Sequence, residues 1–364
     1  MQRRQFLLVS SIAASSGTFG VSAFAAAPAK GEGWREYEIT TEVNVGEKTG
    51  EARVWVPVPM AQLDGYQRTL DVKFDAPGAT KAELLSMPRS DARMVAVHWK
   101  NTEAPQTVKL TTRIALRDPS VDLGAAGTAR RLPASALREY LQPTSLAPLG
   151  GIVKQTSDKI LAEAGHPKDA IGKARAIYEW MVVNASRDGA VAGCGTGDVT
   201  YMLNSGKISG KCADLNGLYT ALLRASGVPA RDVYGVRVDT SERGFKSLGK
   251  AGDISKAQHC RAQFYADGYG WIPVDPADVA KVALEEQPGG LPKDDPKVRA
   301  ARAMLFGAWE GNWMAYNTAA DVRFPGSELT AGFFMYPNGE SANGRLDSLD
   351  PAHFAYRITS RKLA

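Results

Sequence analysis

Cys212, His259 and Asp275 are the residues of this 364-residue chain whose types and order promise chemistry: a thiol, an imidazole and a carboxylate. A thiolate can attack a carbonyl, an imidazole can accept and return its proton, and a carboxylate can fix the imidazole tautomer. The expected intermediate is a thioester acyl-enzyme. Each group needs an element to hold it. Between Ser209 and Arg224, Leu215, Leu218, Tyr219, Leu222 and Leu223 recur at helical spacing, which predicts an amphipathic helix. Ser209 is its expected N-cap and Gly227 its stop, with Pro229 beyond. Cys212 then falls in the first turn, where unpaired N–H groups and the positive end of the macrodipole favour the thiolate.

His259 and Asp275 lie on the two arms of an expected β-hairpin. A three-residue loop at Ala266-Asp267-Gly268, with Gly268 left-handed, pairs Tyr265 with Tyr269 and therefore His259 with Asp275. Cys260, Ala262, Phe264, Ile272 and Val274 collect on the opposite face, as a half-buried antiparallel pair requires. Pro273, lacking an N–H, is expected opposite Arg261 in a non-hydrogen-bonded pair. That places the Cα atoms of His259 and Asp275 about 4.5 Å apart, and a bulge in the loop would shift the count by one and spoil it.

Four segments carry a resemblance: Gly210-Lys211-Cys212-Ala213-Asp214-Leu215, Leu222 to Arg231, Gln258-His259-Cys260, and Trp271-Ile272-Pro273-Val274-Asp275-Pro276. Over roughly residues 150 to 280 the chain resembles the bacterial transglutaminase-like superfamily, whose core architecture is related to that of papain. The resemblance implies an α+β fold with helices packed on an antiparallel sheet. It also implies Cys212 as nucleophile, His259 as base and Asp275 as orienting acid. The implied activity is thiol-dependent acyl transfer or hydrolysis on peptide or amide bonds. The superfamily includes proteases, amidases and members without known turnover, so the acyl acceptor stays open. This chain lacks the glutamine and tryptophan that animal transglutaminases carry beside the nucleophile. Backbone N–H groups at the helix start, including that of Cys212, are candidate oxyanion donors, with Asn204 and Tyr201 as side-chain candidates.

The remaining reactive residues have blander readings. Cys194, in the glycine-rich run Gly193 to Gly197, reads as a structural or disulfide-bonded cysteine. One disulfide among three cysteines leaves a free thiol. Cys194 with Cys260 would spare Cys212, whereas Cys194 with Cys212 would inhibit; the core-facing position of Cys260 argues for a buried free thiol there. Asp214 is expected to serve the helix start electrostatically. His98, His166 and His353 read as surface or packing residues. Trp309, Trp313 and Tyr316, at helical spacing within a helix expected near residues 296 to 318, read as core packing before substrate groove. No Cys-x-x-Cys, His-Glu-x-x-His, EF-hand loop or full dinucleotide fingerprint occurs. Some relatives use calcium, but no cofactor or metal is assigned.

Residues 1–25 have the form of a signal peptide, with Arg3-Arg4 ahead of Phe6-Leu7 marking the twin-arginine type. The expected location is periplasmic or secreted. No later apolar run is long enough to span a bilayer. The net charge of +5 includes those two arginines, and no basic stripe with aromatic interleaving appears, so nucleic acid is not an expected partner. Alternating strands from Trp34 to Leu116 predict a β-sandwich-like domain over residues 26–125. The catalytic core is expected over 126–290, and a C-terminal helix with strands over 291–364 completes or wraps it. Peptides, proteins and cell-wall stem peptides are the candidate substrates. The alternative from another class is a non-catalytic envelope protein that binds a peptide or partner with the same fold.

Overall fold

In the computed structural model the described residues are 33–46, 50–87, 90–102, 105–125 and 127–363. The Arg3-Arg4 leader lies outside them. The strand Arg35–Val45 alternates between buried and more exposed residues, as does Gln106–Leu116, and the two pair antiparallel from Arg35 opposite Leu116 to Val45 opposite Gln106. They are central in a six-stranded sheet. A second, five-stranded sheet is built on Gly50–Val58, Arg93–Thr102 and Lys81–Ser86. Val43, Val54, Val56, Val72, Val95, Val97, Trp99 and Leu110 fill the space between the sheets. This is the expected strand-rich sandwich, in which β-branched residues suit a pleated, half-buried surface.

Strands from the far end of the sequence complete both sheets. Phe354–Lys362 pairs with Arg35–Val45, and Asn338–Ser341 pairs with Gly50–Val58. The two ends of the described chain are thus held together by main-chain hydrogen bonds.

The remaining sheet has the order Gly270–Val274, Gln258–Ala266, Ala230–Arg237, Trp313–Asn317, antiparallel throughout. The helix Cys212–Ala225 packs on it, with Gly151–Glu163 and Ala170–Asn184 behind, around one apolar core containing Leu215, Leu218, Leu222, Phe264 and Ile272. A further cluster containing Tyr37, Ile39, Ile114, Val236, Met314 and Tyr316 joins this sheet to the six-stranded one. The segment expected to be helical to residue 318 stops early: the helix is Pro296–Met304, Gly307 takes φ +114°, and Trp313–Asn317 is a strand buried at every position. Burial on both sides, between helices and sandwich, removes the polar alternation that would have marked it as a strand.

Phe354 is fully buried in the sandwich core at the start of the last strand. Phe354→Ala is expected to cost about 3–5 kcal/mol of stability, read as a lowered urea midpoint. An unchanged midpoint would show that this strand does not close the sandwich.

Candidate active site

The helix Cys212–Ala225 starts with the cysteine itself. Its N-cap is Lys211, not Ser209, because Ser209–Gly210 is taken into a short parallel pairing with Ser186–Arg187. Asp214 then binds the Lys211 N–H (2.9 Å) through one oxygen and the N–H groups of Thr196 (3.0 Å) and Gly197 (2.9 Å) through the other. The carboxylate therefore does more than favour the helix dipole; it ties the glycine-rich loop to the start of the helix. Gly195 makes this possible: its φ is +92°, and a Cβ there would lie 1.8 Å from an Asp214 oxygen. At the far end Gly227 takes φ +82° and stops the helix, as expected.

The hairpin forms two positions out of the expected register. The three-residue loop is Asp267 to Tyr269, Ala266 pairs with Gly270, and Pro273 lies opposite Gln263 rather than Arg261. Gly268 is left-handed as expected, but Gly270 also takes positive φ (+76°), and the turn slides by one residue. A slip of two preserves side-chain parity. His259 keeps its face, and Asp275 falls level with Arg261 instead of His259. Asp275 is not in the strand at all. It is the N-cap of the helix Pro276–Glu285, accepting the Asp278 N–H at 3.0 Å, and its other oxygen reaches His259 Nε2 at 2.7 Å.

Because the hairpin's second strand ends at Val274, the Gln258–Cys260 edge has no backbone partner on that side. Side chains take up the exposed carbonyls. Cys194 Sγ donates to Gln258 O (3.3 Å), and Asn216 Nδ2 donates to Cys260 O (2.9 Å) and to Asp275 Oδ1 (3.0 Å). Asn216 Oδ1 accepts the Ala277 N–H at 3.2 Å, so this one amide clamps the Cys212 helix, His259 strand and Asp275 cap. On the strand's other side Gly235 lies opposite His259, and the Trp313 indole donates to His259 O at 2.9 Å. A Cβ on Gly235 would meet Met314 O at 2.1 Å and the indole at 2.5 Å.

Cys212, His259 and Asp275 are thus brought together: Nε2 of His259 is given to the carboxylate at 2.7 Å, which leaves Nδ1 for the sulfur, and His259 is among the groups that lower the Cys212 thiol. All three cysteines are free and buried. The three thiols act on one another electrostatically and so form one cluster, with Cys212 Sγ 4.0 Å from Cys194 O. Those two thiols, and then His259, hold the Cys212 thiol well below its ordinary value despite burial. The Cys194 thiol is pushed up by Cys212 and by burial, and the Cys260 thiol by burial and by Cys212. Burial alone would lower His259, but Asp278 and Asp275 outweigh it, against Arg237, and raise the imidazole to about 10. The site therefore favours a thiolate–imidazolium pair.

Several members of this network carry no mark that the sequence pattern singled out. Asn216 sits one turn after Cys212, and Asp278 three residues after Asp275 in an Asp-Pro-x-Asp helix start; those spacings are the only available signal. Arg237 Nη2 donates to Asp278 Oδ1 at 2.5 Å, and Arg261 Nε stands 3.6 Å from Asp275 Oδ2 with its guanidinium over Trp309 and Trp313. The expected packing role of those tryptophans agrees with their burial. Tyr201 and Asn204 lie exposed on the short helix Val199–Asn204. The tyrosine at the site is Tyr336, which hydrogen-bonds Cys194. A Cβ on Gly193 would lie 3.1 Å from its hydroxyl. The Cys212 residue is 3% exposed.

Among the described residues, His259, Asp275 and Asp278 are the group whose ligating atoms, all within 4.8 Å of one another, could hold a metal ion. Two guanidiniums already balance the carboxylates there, which works against a further cation. A cleft of about 510 Å³ lined by Arg35, Asp64, Tyr66, Arg117 and Trp271 does not include the sulfur.

Residues 154–276 match the family described as the Transglutaminase-like superfamily. An uncharacterized protein of Haemophilus influenzae is 35% identical over 331 residues, covering 86% of this chain and 87% of its own. Among solved structures, a candidate cysteine protease from Cytophaga hutchinsonii is 17% identical and aligns over 94% of this chain and 100% of that one, with a TM-score of 0.49. The periplasmic domain of TgpA from Pseudomonas aeruginosa is 15% identical over 70% of this chain and 94% of that one, with a TM-score of 0.36.

Removing the Cys194 thiol takes away the largest influence that lowers Cys212. Cys194→Ala should raise the pH at which Cys212 reaches half its maximal iodoacetamide reactivity by about one unit. Peptide mass mapping across pH measures this, and an unmoved midpoint would rule out the thiol cluster as the source of acidity.

Proposed function

We propose, since residues 154–276 match the transglutaminase-like superfamily, that the chain is an exported thiol enzyme acting on peptide or amide bonds through a Cys212 thioester. The observation that carries this reading is the 2.7 Å contact of His259 Nε2 with Asp275 Oδ2 beside a buried Cys212 whose thiol His259 helps to lower. A binding module has no use for a thiolate held ready beside an imidazolium.

In the proposed cycle the Cys212 thiolate adds to the substrate carbonyl, and His259 gives its proton to the leaving amine. Asp275 keeps the ring oriented and compensates its charge. Water or a second amine, deprotonated by His259, then takes the acyl group from sulfur. Hydrolysis and transfer differ only at that last step. The developing oxyanion lies within reach of the helix start, where the N–H of Cys212 has no intrahelical acceptor. The Ala213 N–H is already committed to Cys194 O at 2.9 Å.

The leader sequence supports a periplasmic or secreted site of action, and among the described residues no helix is long and apolar enough to cross a membrane. Peptides, proteins and cell-wall stem peptides are the substrates this places within reach. The low exposure of the sulfur favours a second reading, a peptide-binding envelope protein with a latent site; it also fits an enzyme whose substrate displaces the residues over the sulfur.

A peptide library incubated with the protein, with and without a primary amine, separates these readings by mass spectrometry. Cleavage, deamidation or amine incorporation that vanishes in Cys212→Ser is the expected result. Turnover should rise as Cys212 ionises below the usual thiol range and decline as pH passes about 10, where His259 loses the proton it must donate. Unchanged peptides together with an unreactive Cys212 in reduced, folded protein would leave only the binding role.

A further inference from the structure

Two carboxylates, not one, meet the His259 ring. Asp275 Oδ2 lies 2.7 Å from Nε2, and Asp278 Oδ1 lies 3.3 Å from the same nitrogen. Both aspartates are fully buried, and Asp278 Oδ2 has no hydrogen-bond partner at all. Two like charges at that separation repel strongly in a low-dielectric interior, so a second carboxylate is a costly feature to retain at this spot. Arg237 resolves the conflict. It projects from the strand that pairs with the His259 strand, two residues beyond Gly235, which lies opposite His259. Its guanidinium spans Asp278 Oδ1 (2.5 Å) and Leu248 O (2.8 Å).

We infer that Asp278, held by Arg237, is a positioning residue for the same reaction: with Asp275 it shares the Nε2 proton of His259 and holds the imidazolium edge-on to the Cys212 sulfur. The inference rests on the thiol chemistry proposed above. The helix start makes the sharing geometric. Asp275 is the cap and Asp278 the third residue of the first turn, so both carboxylates project from one end of Pro276–Glu285 toward one ring nitrogen. Their combined charge offsets the penalty of burying a cation; Arg237 keeps Asp278 ionised, and Asp275 is pushed up by burial and by Asp278, with His259 and Arg261 acting against that rise. The titratable and charged groups around the ring are Cys212 from the helix it starts, Arg261 from the ring's own strand, Arg237 from the neighbouring strand, and Asp275 and Asp278 from the cap. Lys281, one turn further along that helix, faces Arg237.

The test is the titration of His259, followed by NMR in protein carrying ¹⁵N-labelled histidine and assigned by its loss in His259→Ala. Asp278→Asn keeps shape and removes charge. It should lower the alkaline titration of His259 by about 1–2 pH units and bring down the alkaline limb of turnover by the same amount. The acid onset of Cys212 alkylation should not move upward. If Asp278→Asn fails to fold because Arg237 is left unpaired, Asp278→Asn with Arg237→Gln removes the ion pair together and should shift the limb in the same direction by less. A folded variant whose imidazole titrates as in the wild type overturns the inference. A wild-type Cys212 no more reactive than a free thiol would instead sink the underlying thiol chemistry, so the two failures are distinguishable.

Discussion

A charged imidazole cannot sit in a protein interior unless the charge is met there, and at this site the meeting is between His259, two aspartates and two arginines. Isolating any one of them in the apolar surroundings would cost several kcal/mol. Together with the Cys212 thiolate they sum to neutrality, which is why the cluster can be buried and still hold separated charge. The arrangement ties together four elements: the nucleophile helix, the hairpin, the strand bearing Arg237 and the helix capped by Asp275. Movement of any one would break the balance, so the packing of the core and the protonation of the site are coupled.

The geometry follows from an interruption. The hairpin strand stops at Val274, the chain turns into a helix through Pro276, and the Gln258–Cys260 edge is left without a backbone neighbour. Unsatisfied carbonyls on a buried edge demand donors. Cys194 and Asn216 supply them, and in doing so bring the glycine loop and the nucleophile helix against His259. Close approach elsewhere depends on residues with no side chain: Gly195 against Asp214, and Gly235 against Trp313. These contacts fix the distance of the loop from the helix and of the aromatic wall from the ring.

The N-terminal sandwich buttresses this centre. The Trp313–Asn317 strand and the strand carrying Arg237 are covered by helices on one side and by the six-stranded sheet on the other. That sheet is closed in turn by the last strand of the described chain. A rigid scaffold on both faces is what a site needing sub-ångström placement of sulfur, nitrogen and carboxylate would require.

How much of this was legible beforehand follows from the range of each signal. Helical spacing placed Cys212 in the first turn, and period-two alternation put His259 and Cys260 on opposite faces, because these patterns are local. The expected His259–Asp275 pairing reached the right partners through a wrong register, and it survived because a slip of two leaves parity intact. Helix capping by Asp275 rather than strand pairing made the contact, a choice between two local roles that only the packed core settles. The helix expected to residue 318 failed for a related reason: a strand buried on both sides shows no alternation to read. Sequence alone determined the types of the site's thiol, imidazole and first carboxylate, their order and the elements that carry most of them, since composition and short-range periodicity encode these directly. Tertiary structure decided the second carboxylate, its arginine, the asparagine clamp and the gathering of three thiols. Those depend on which buried charges and orphaned carbonyls come to face one another, and nothing in the linear spacing records that.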